Sequence, residues 1–120
     1  MSKKILINCN HGQEDAERAT LPFVVANVSA TADQETIVFL TIEGVRLATS
    51  GYADAVQKEG LPAAGEVIRS FIANGGQVWA CGACTKPRGI TDADLIEGAR
   101  IVTAANVVEE VAGGAAVLSV

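Results

Sequence analysis

Cys81 and Cys84, three positions apart, close an apolar run (Val78 to Ala80) and open a turn that carries Lys86, Pro87, Arg88 and Gly89. In a reducing compartment a C-x-x-C pair points to redox, thiol-transfer or metal chemistry rather than to a structural staple. The odd total of three cysteines also argues against a disulfide framework. A thiol flanked by cationic side chains is held more in its thiolate form, which is both the nucleophile of sulfur chemistry and the ligand form for soft metals. The competing reading is a pair of small buried hydrophobes, since free cysteine is among the most buried residue types. A turn of Gly, Thr, Lys, Pro and Arg is a poor place to bury side chains, and reactive chemistry at one or both thiols is the favoured expectation. A thioredoxin-like role fits less well, because that motif opens a long helix whereas Pro87 and Gly89 make this segment a loop.

Cys9 and His11 follow the first apolar run as Cys81 and Cys84 follow a later one. If the two strands are neighbours, Cys9, His11, Cys81 and Cys84 form a permissible zinc set. The C-x-H spacing is short for such a site, and a strand-end core residue for Cys9 and a polar loop residue for His11 are preferred. Glu43-Gly44, after the second apolar run, offers either a carboxylate or a tight turn at the same edge. The glycines assemble into neither G-x-G-x-x-G nor a P-loop, so no nucleotide cofactor is expected. The single histidine leaves no Ser/His/Asp set to argue.

The elements that must position these residues alternate. Lys3 to Asn8 reads as a buried strand, and Gln13 to Ala30 as a helix with an acidic front. Leu21, Val24, Val25 and Val28 are expected to form its buried stripe, with Pro22 kinking or restarting it. Thr36 to Thr41 is a second strand, Val45 to Thr49 a helical turn, and 50–61 a loop with a short helix near Asp54 to Lys58. Pro62 to Ala73 is a helix with Val67, Ile68, Phe71 and Ile72 on one face, stopped by Asn74-Gly75-Gly76. Gln77 to Ala80 is the third strand. Thr91 and Asp94 form a capping-box start for a short helix through Glu97. Arg100 to Thr103 is a fourth strand. Ala104 to Ala112 is a helix with Val107, Val108 and Val111 inward, and Ala115 to Val120 is the last strand. Strands alternating with helices through short turns specify a three-layer α/β/α arrangement around a mostly parallel sheet of about five strands, Rossmann-like or flavodoxin-like. In such sheets reacting groups sit outside the carboxyl ends of the strands.

The 120 residues are expected to form one domain, 1–120. Nine basic against 14 acidic side chains give a net charge of −5, which lacks the basic footprint of a phosphate-backbone binder, so no direct nucleic-acid contact is expected. The apolar run near the N-terminus is too short for a signal-peptide core and no later segment reaches spanning length, so a cytoplasmic protein away from membranes is expected.

The order of these parts resembles the DsrE/DsrF-like family of small sulfur-relay proteins. The residues that carry the resemblance are Cys81-x-x-Cys84-x-x-x-Arg88-Gly89-Ile90 after an apolar strand, Ile42-Glu43-Gly44-Val45 after the second strand, and a strand at the C-terminus. The pattern is nearest to the YchN-type members, which also have the second cysteine. In the family's sulfur carriers the persulfide-accepting cysteine lies eight residues before the Gly of the Arg-Gly turn, and the resemblance therefore implies Cys81. It implies intracellular sulfur transfer between donor and acceptor proteins, with Lys86 and Arg88 holding the anionic persulfide and Gly89 and Glu43 lining the site. It also implies a homo-oligomer, trimer or hexamer, and no cofactor. For Arg88 an equal expectation is pairing with a carboxylate that shapes the loop. Cys84 is left as resolving thiol, second acceptor or bystander. The alternatives are a zinc-binding or non-catalytic binding protein using Cys9, His11, Cys81 and Cys84, and, more weakly, a thiol redox protein.

Overall fold

The computed structural model describes residues 4–120. The predicted start of the first strand at Lys3 lies outside them. Five strands, β1 (Lys4–Cys9), β2 (Glu35–Leu40), β3 (Gln77–Cys81), β4 (Ala99–Val102) and β5 (Ala116–Leu118), form one sheet in the order β4-β3-β2-β1-β5. Every pairing is parallel. The helices are α1 (Ala16–Thr31), α2 (Ala64–Ala73), α3 (Gly82–Thr85) and α4 (Ala104–Ala112).

Handedness explains the layers. The steps from β1 to β2 and from β2 to β3 run the same way across the sheet, and right-handed crossovers place α1 and α2 on one face. The return from β4 to β5 runs back across the sheet, so α4 falls on the other face. Strand alternation supplies each layer with its own apolar set. Ile7, Val38, Leu40, Val78 and Ala80 pack with Phe23 of α1 and Phe71 of α2. Ile37, Trp79 and Val102 face the opposite way, with Val107 of α4 against them.

Three local expectations are corrected. The buried positions of α1 are Ala19, Thr20, Pro22, Phe23, Ala26 and Ala30, while of the expected stripe (Leu21, Val24, Val25 and Val28) only Val24 and Val25 pack against the core, and those only partly buried. Small residues at this spacing let the helix lie close on the sheet, and Val28 is left 65% exposed. Pro22 neither ends nor restarts α1, which runs unbroken from Ala16 to Thr31. Proline cannot donate to the carbonyl four residues back, that of Arg18. The buried Cys9 thiol points at this carbonyl, at 3.9 Å. In α4 only Val107 of the three inward valines reaches the sheet; Val108 and Val111 are 64% and 44% exposed. Successive helical residues turn by about 100°, so Val107 and Val108 cannot both face inward. The last turn of α4 is held by Lys4 Nζ to Glu110 at 2.7 Å instead.

Other expectations meet the structure closely. Helix α2 buries Val67, Ile68 and Phe71, with Ile72 partly buried beside them. Thr91 and Asp94 make a reciprocal capping box, though over a single 3-10 turn, Asp92–Asp94, rather than a helix through Glu97.

Candidate functional site

Because all strands are parallel, their carboxyl ends share one edge, and the exit segments of β1, β2 and β3 meet there. Cys81 is the last residue of β3 and the N-cap of α3. The segment predicted as a loop is a single helical turn, Gly82–Thr85, followed by a 3-10 turn, Lys86–Arg88. Pro87 is tolerated because it sits at the start of that second turn, where a missing N–H costs little. The buried Thr85 hydroxyl donates to the Gly82 carbonyl at 3.2 Å, and the Ile90 N–H donates to the Thr85 carbonyl at 3.1 Å. Gly89 ends the turn at φ +69°, a conformation glycine adopts without penalty. Cys81 and Cys84 are both partly exposed free thiols.

Arg88 pins this turn to the neighbouring exit segment. Its Nε donates to Glu43 Oε1 at 2.8 Å and its Nη1 to the Cys84 carbonyl at 3.1 Å. Glu43 belongs to the 3-10 segment Ile42–Ala48 after β2, and its other oxygen accepts from Arg46 Nε at 3.0 Å. Ile42 turns the chain out of β2 at φ +55°, which costs a β-branched residue about 1–2 kcal/mol. The hydrogen bond from Arg88, with a further one from Arg46, holds the Glu43 carboxyl below the ordinary carboxylate range against the opposing effect of burial.

A lowered folded-state value means that the stability Glu43 contributes is complete above the ordinary value near 4.5 and is lost as pH falls through the lowered one. Thermal melts of wild type and Glu43→Gln should therefore differ at neutral pH and converge as pH drops below about 4.5. A gap independent of pH would show that the carboxylate is not what holds the turn.

The Glu43 segment also rests on the exit of β1. A Cβ at Gly44 would collide with the Cys9 carbonyl oxygen, and one at Gly12 would lie 2.8 Å from the Glu43 carbonyl oxygen and 2.7 Å from the Tyr52 hydroxyl. That hydroxyl accepts the Gln13 N–H at 2.7 Å. Gly44→Ala should destabilise the chain by about 1–3 kcal/mol, because backbone rather than a movable side chain occupies the space. A Gly44→Ala melt matching wild type would remove this contact between the segments. Neither Arg46 nor Tyr52 was singled out from the sequence. Arg46 was legible in principle as the residue three after Glu43 in a helical turn; Tyr52 was not, since its partners lie 39 residues away.

Cys9 and His11 do not join this group. Cys9 belongs to β1 rather than following it, is 1% exposed, and directs its sulfur at the carbonyls of His11, Arg18 and Ala19 at 3.7, 3.9 and 3.7 Å. Burial pushes its thiol up to about 11, so it resists the deprotonation that ligation needs. His11 Nδ1 is 2.7 Å from Glu14 Oε2. The condition for the zinc set also fails, because β2 lies between β1 and β3, which separates the two strands by about 10 Å. Among the described residues no group of three or more His, Cys, Asp or Glu side chains is placed to hold a metal ion. A groove of about 640 Å³ lined by Leu47, Ile68, Ile72, Ile96, Asp54 and Arg69 lies elsewhere on the surface and includes none of the predicted site residues. It is open and mainly apolar, and the partly exposed thiols Cys81 and Cys84 lie apart from it at the sheet edge.

Comparison with known proteins fits this geometry. The model of the DsrE/DsrF-like family matches residues 3–120. An uncharacterized protein of Methanocaldococcus jannaschii is 30% identical over 93 residues, which are 78% of this chain but 34% of that protein. The chain thus spans about a third of the length of that relative. An uncharacterized protein of Methanopyrus kandleri is 31% identical over 99 residues, 82% of this chain and 76% of that protein. Among solved structures, the ychN protein of E. coli superposes with a TM-score of 0.82 at 24% identity, covering all of both chains. A protein of unknown function from Methanobacterium thermoautotrophicum superposes at 0.71 with 17% identity, covering 99% of this chain and 100% of that one. No helix among the described residues is long and apolar enough to cross a membrane.

Proposed function

The chain belongs to the DsrE/DsrF-like family, and from that premise we propose that it is a cytoplasmic sulfur carrier whose Cys81 takes a persulfide from one protein and passes its outer sulfur to another. The observation that carries this reading is the contrast between thiols. Cys81 ends a strand at the reactive edge of the sheet, partly exposed, on a turn fastened by Arg88 and Glu43, whereas Cys9 is enclosed.

The step is thiol–disulfide exchange applied to a persulfide. The Cys81 thiolate attacks the outer sulfur of the donor persulfide, a new S–S bond forms, and the donor leaves as its thiolate. The acceptor thiolate then attacks the outer sulfur of Cys81–S–SH, and Cys81 leaves as thiolate. Lys86 is exposed and makes no ion pair among the described residues, which suits it to face the anionic persulfide. Arg88, committed to Glu43, shapes the turn together with Gly89.

Wild-type and Cys84→Ser chains are incubated with inorganic polysulfide, desalted and read by intact mass, and at least one of them should carry one added sulfur atom and lose it to an added thiol acceptor. No added sulfur in either chain overturns the carrier reading. We also propose that the carrier is a homo-oligomer, a trimer or hexamer as the family resemblance implies. The exposed Val108, Val111, Val117 and Leu118 supply apolar surface for subunit contact. A monomer by light scattering removes that part.

A further inference from the structure

We infer that Cys84 makes the site a sulfide-releasing one: its thiol displaces the outer sulfur of a Cys81 persulfide, leaving a Cys81–Cys84 disulfide. This rests on the reading of Cys81 as the persulfide-bearing residue. Three observations carry it. Cys81 is the N-cap of α3 and Cys84 its third residue, the N-cap and N3 positions of one turn. Side chains at those two positions reach each other's residues, which is the geometry that a capping box uses. Residues three apart on a helical turn have Cβ atoms about 5–6 Å apart, within modest adjustment of the spacing a disulfide spans. The turn is also fixed at Cys84 itself, because Arg88 Nη1 holds that residue's carbonyl at 3.1 Å while its Nε is anchored on Glu43. Finally, Cys84 is partly exposed beside Cys81, whereas a thiol with no part in the chemistry can be walled in as Cys9 is.

The step balances without an outside reagent. The Cys84 thiolate, its proton lost to solvent, attacks the inner sulfur, Cys81 Sγ. The Sγ–Sγ bond forms, the persulfide S–S bond breaks, and the outer sulfur leaves as hydrosulfide. Cys84 is oxidised from thiol to disulfide and the outer sulfur is reduced to sulfide. A thiol reductant then returns both cysteines for another round. Attack by Cys84 on the outer sulfur would instead move the persulfide along the turn, and the products distinguish the two.

The test loads wild type, Cys84→Ser and Cys84→Ala with inorganic polysulfide, desalts them, and follows released sulfide, intact mass and free thiols after denaturation. Wild type should release its sulfur as sulfide, become two hydrogens lighter than the reduced chain, and retain Cys9 as its one free thiol. Both Cys84 variants should stay one sulfur heavier, releasing sulfide about tenfold more slowly or less. Wild type that holds its added sulfur as stably as the variants overturns the release step while leaving the carrier reading intact. So does an added sulfur localised on Cys84. Absence of loading in wild type and both variants overturns the carrier reading itself, and the release step with it.

Discussion

A Cys81→Ser chain should fold as the wild type does and take up no sulfur from a persulfide donor. Serine at a partly exposed N-cap is structurally acceptable, since its hydroxyl is among the preferred groups there. What disappears is the thiolate. The other thiols respond differently. Cys9, with its thiol pushed up to about 11, is thiolate to about one part in ten thousand at neutral pH and is walled off by α1. Cys9→Ala should therefore load as wild type does, and Cys84→Ser should load and hold. Intact mass spectrometry of the three variants after equal exposure to polysulfide reads the outcome. Full loading of Cys81→Ser would move the acceptor role away from Cys81.

The largest stability loss is expected at Phe71→Ala, about 3–5 kcal/mol. Phe71 is fully buried on α2 and meets Phe23 of α1 edge to face, with ring centroids 5.9 Å apart. It is the point where the two helices of that layer lock over the sheet. The cavity left by alanine has little to refill it. Gly76, whose missing Cβ would fall on the Phe71 ring, brings only backbone to that wall. At about 4 °C per kcal/mol for a chain of this size, the melting temperature should fall by roughly 15 °C. Phe71→Leu, which keeps most of the volume, should lose far less. Equal melting of the alanine variant and wild type would mean that the α1–α2 layer is not packed through this ring. Neither change touches the exit segments, so sulfur loading of the folded fraction should be unaffected.

These two residues were legible in the sequence by different routes. Phe71 stood out because Val67, Ile68 and Phe71 repeat at helical spacing between a proline start and a glycine stop. Cys81 stood out because a C-x-x-C follows an apolar run, Val78 to Ala80, and precedes an Arg-Gly turn. The misreadings share one cause. The stripe of α1 was assigned to its largest aliphatics, yet a helix laid close on a sheet favours alanines at the contact, and hydrophobic size does not report closeness. Pro22, expected to kink or restart α1, does not restart it, and a local rule cannot see that Cys9, on another element, faces the carbonyl left without its helical partner. Cys9 was put after its strand for want of any local sign that pairing with Leu40 extends β1 by one residue.

The sequence by itself determined the alternation of strands and helices, hence a parallel sheet with all exits on one edge, and it determined which thiols stand at such an exit. Those properties follow from periodicity, caps and turn residues, each written within a few neighbours. Only the tertiary structure decided the strand order, which put β2 between β1 and β3 and so parted Cys9 and His11 from Cys81 and Cys84. Only it joined Glu43 to Arg88 across 45 residues and set Arg46 on the same carboxylate. Strand order answers to crossover handedness and to the burial of two apolar faces at once, and neither constraint is local to any stretch of chain.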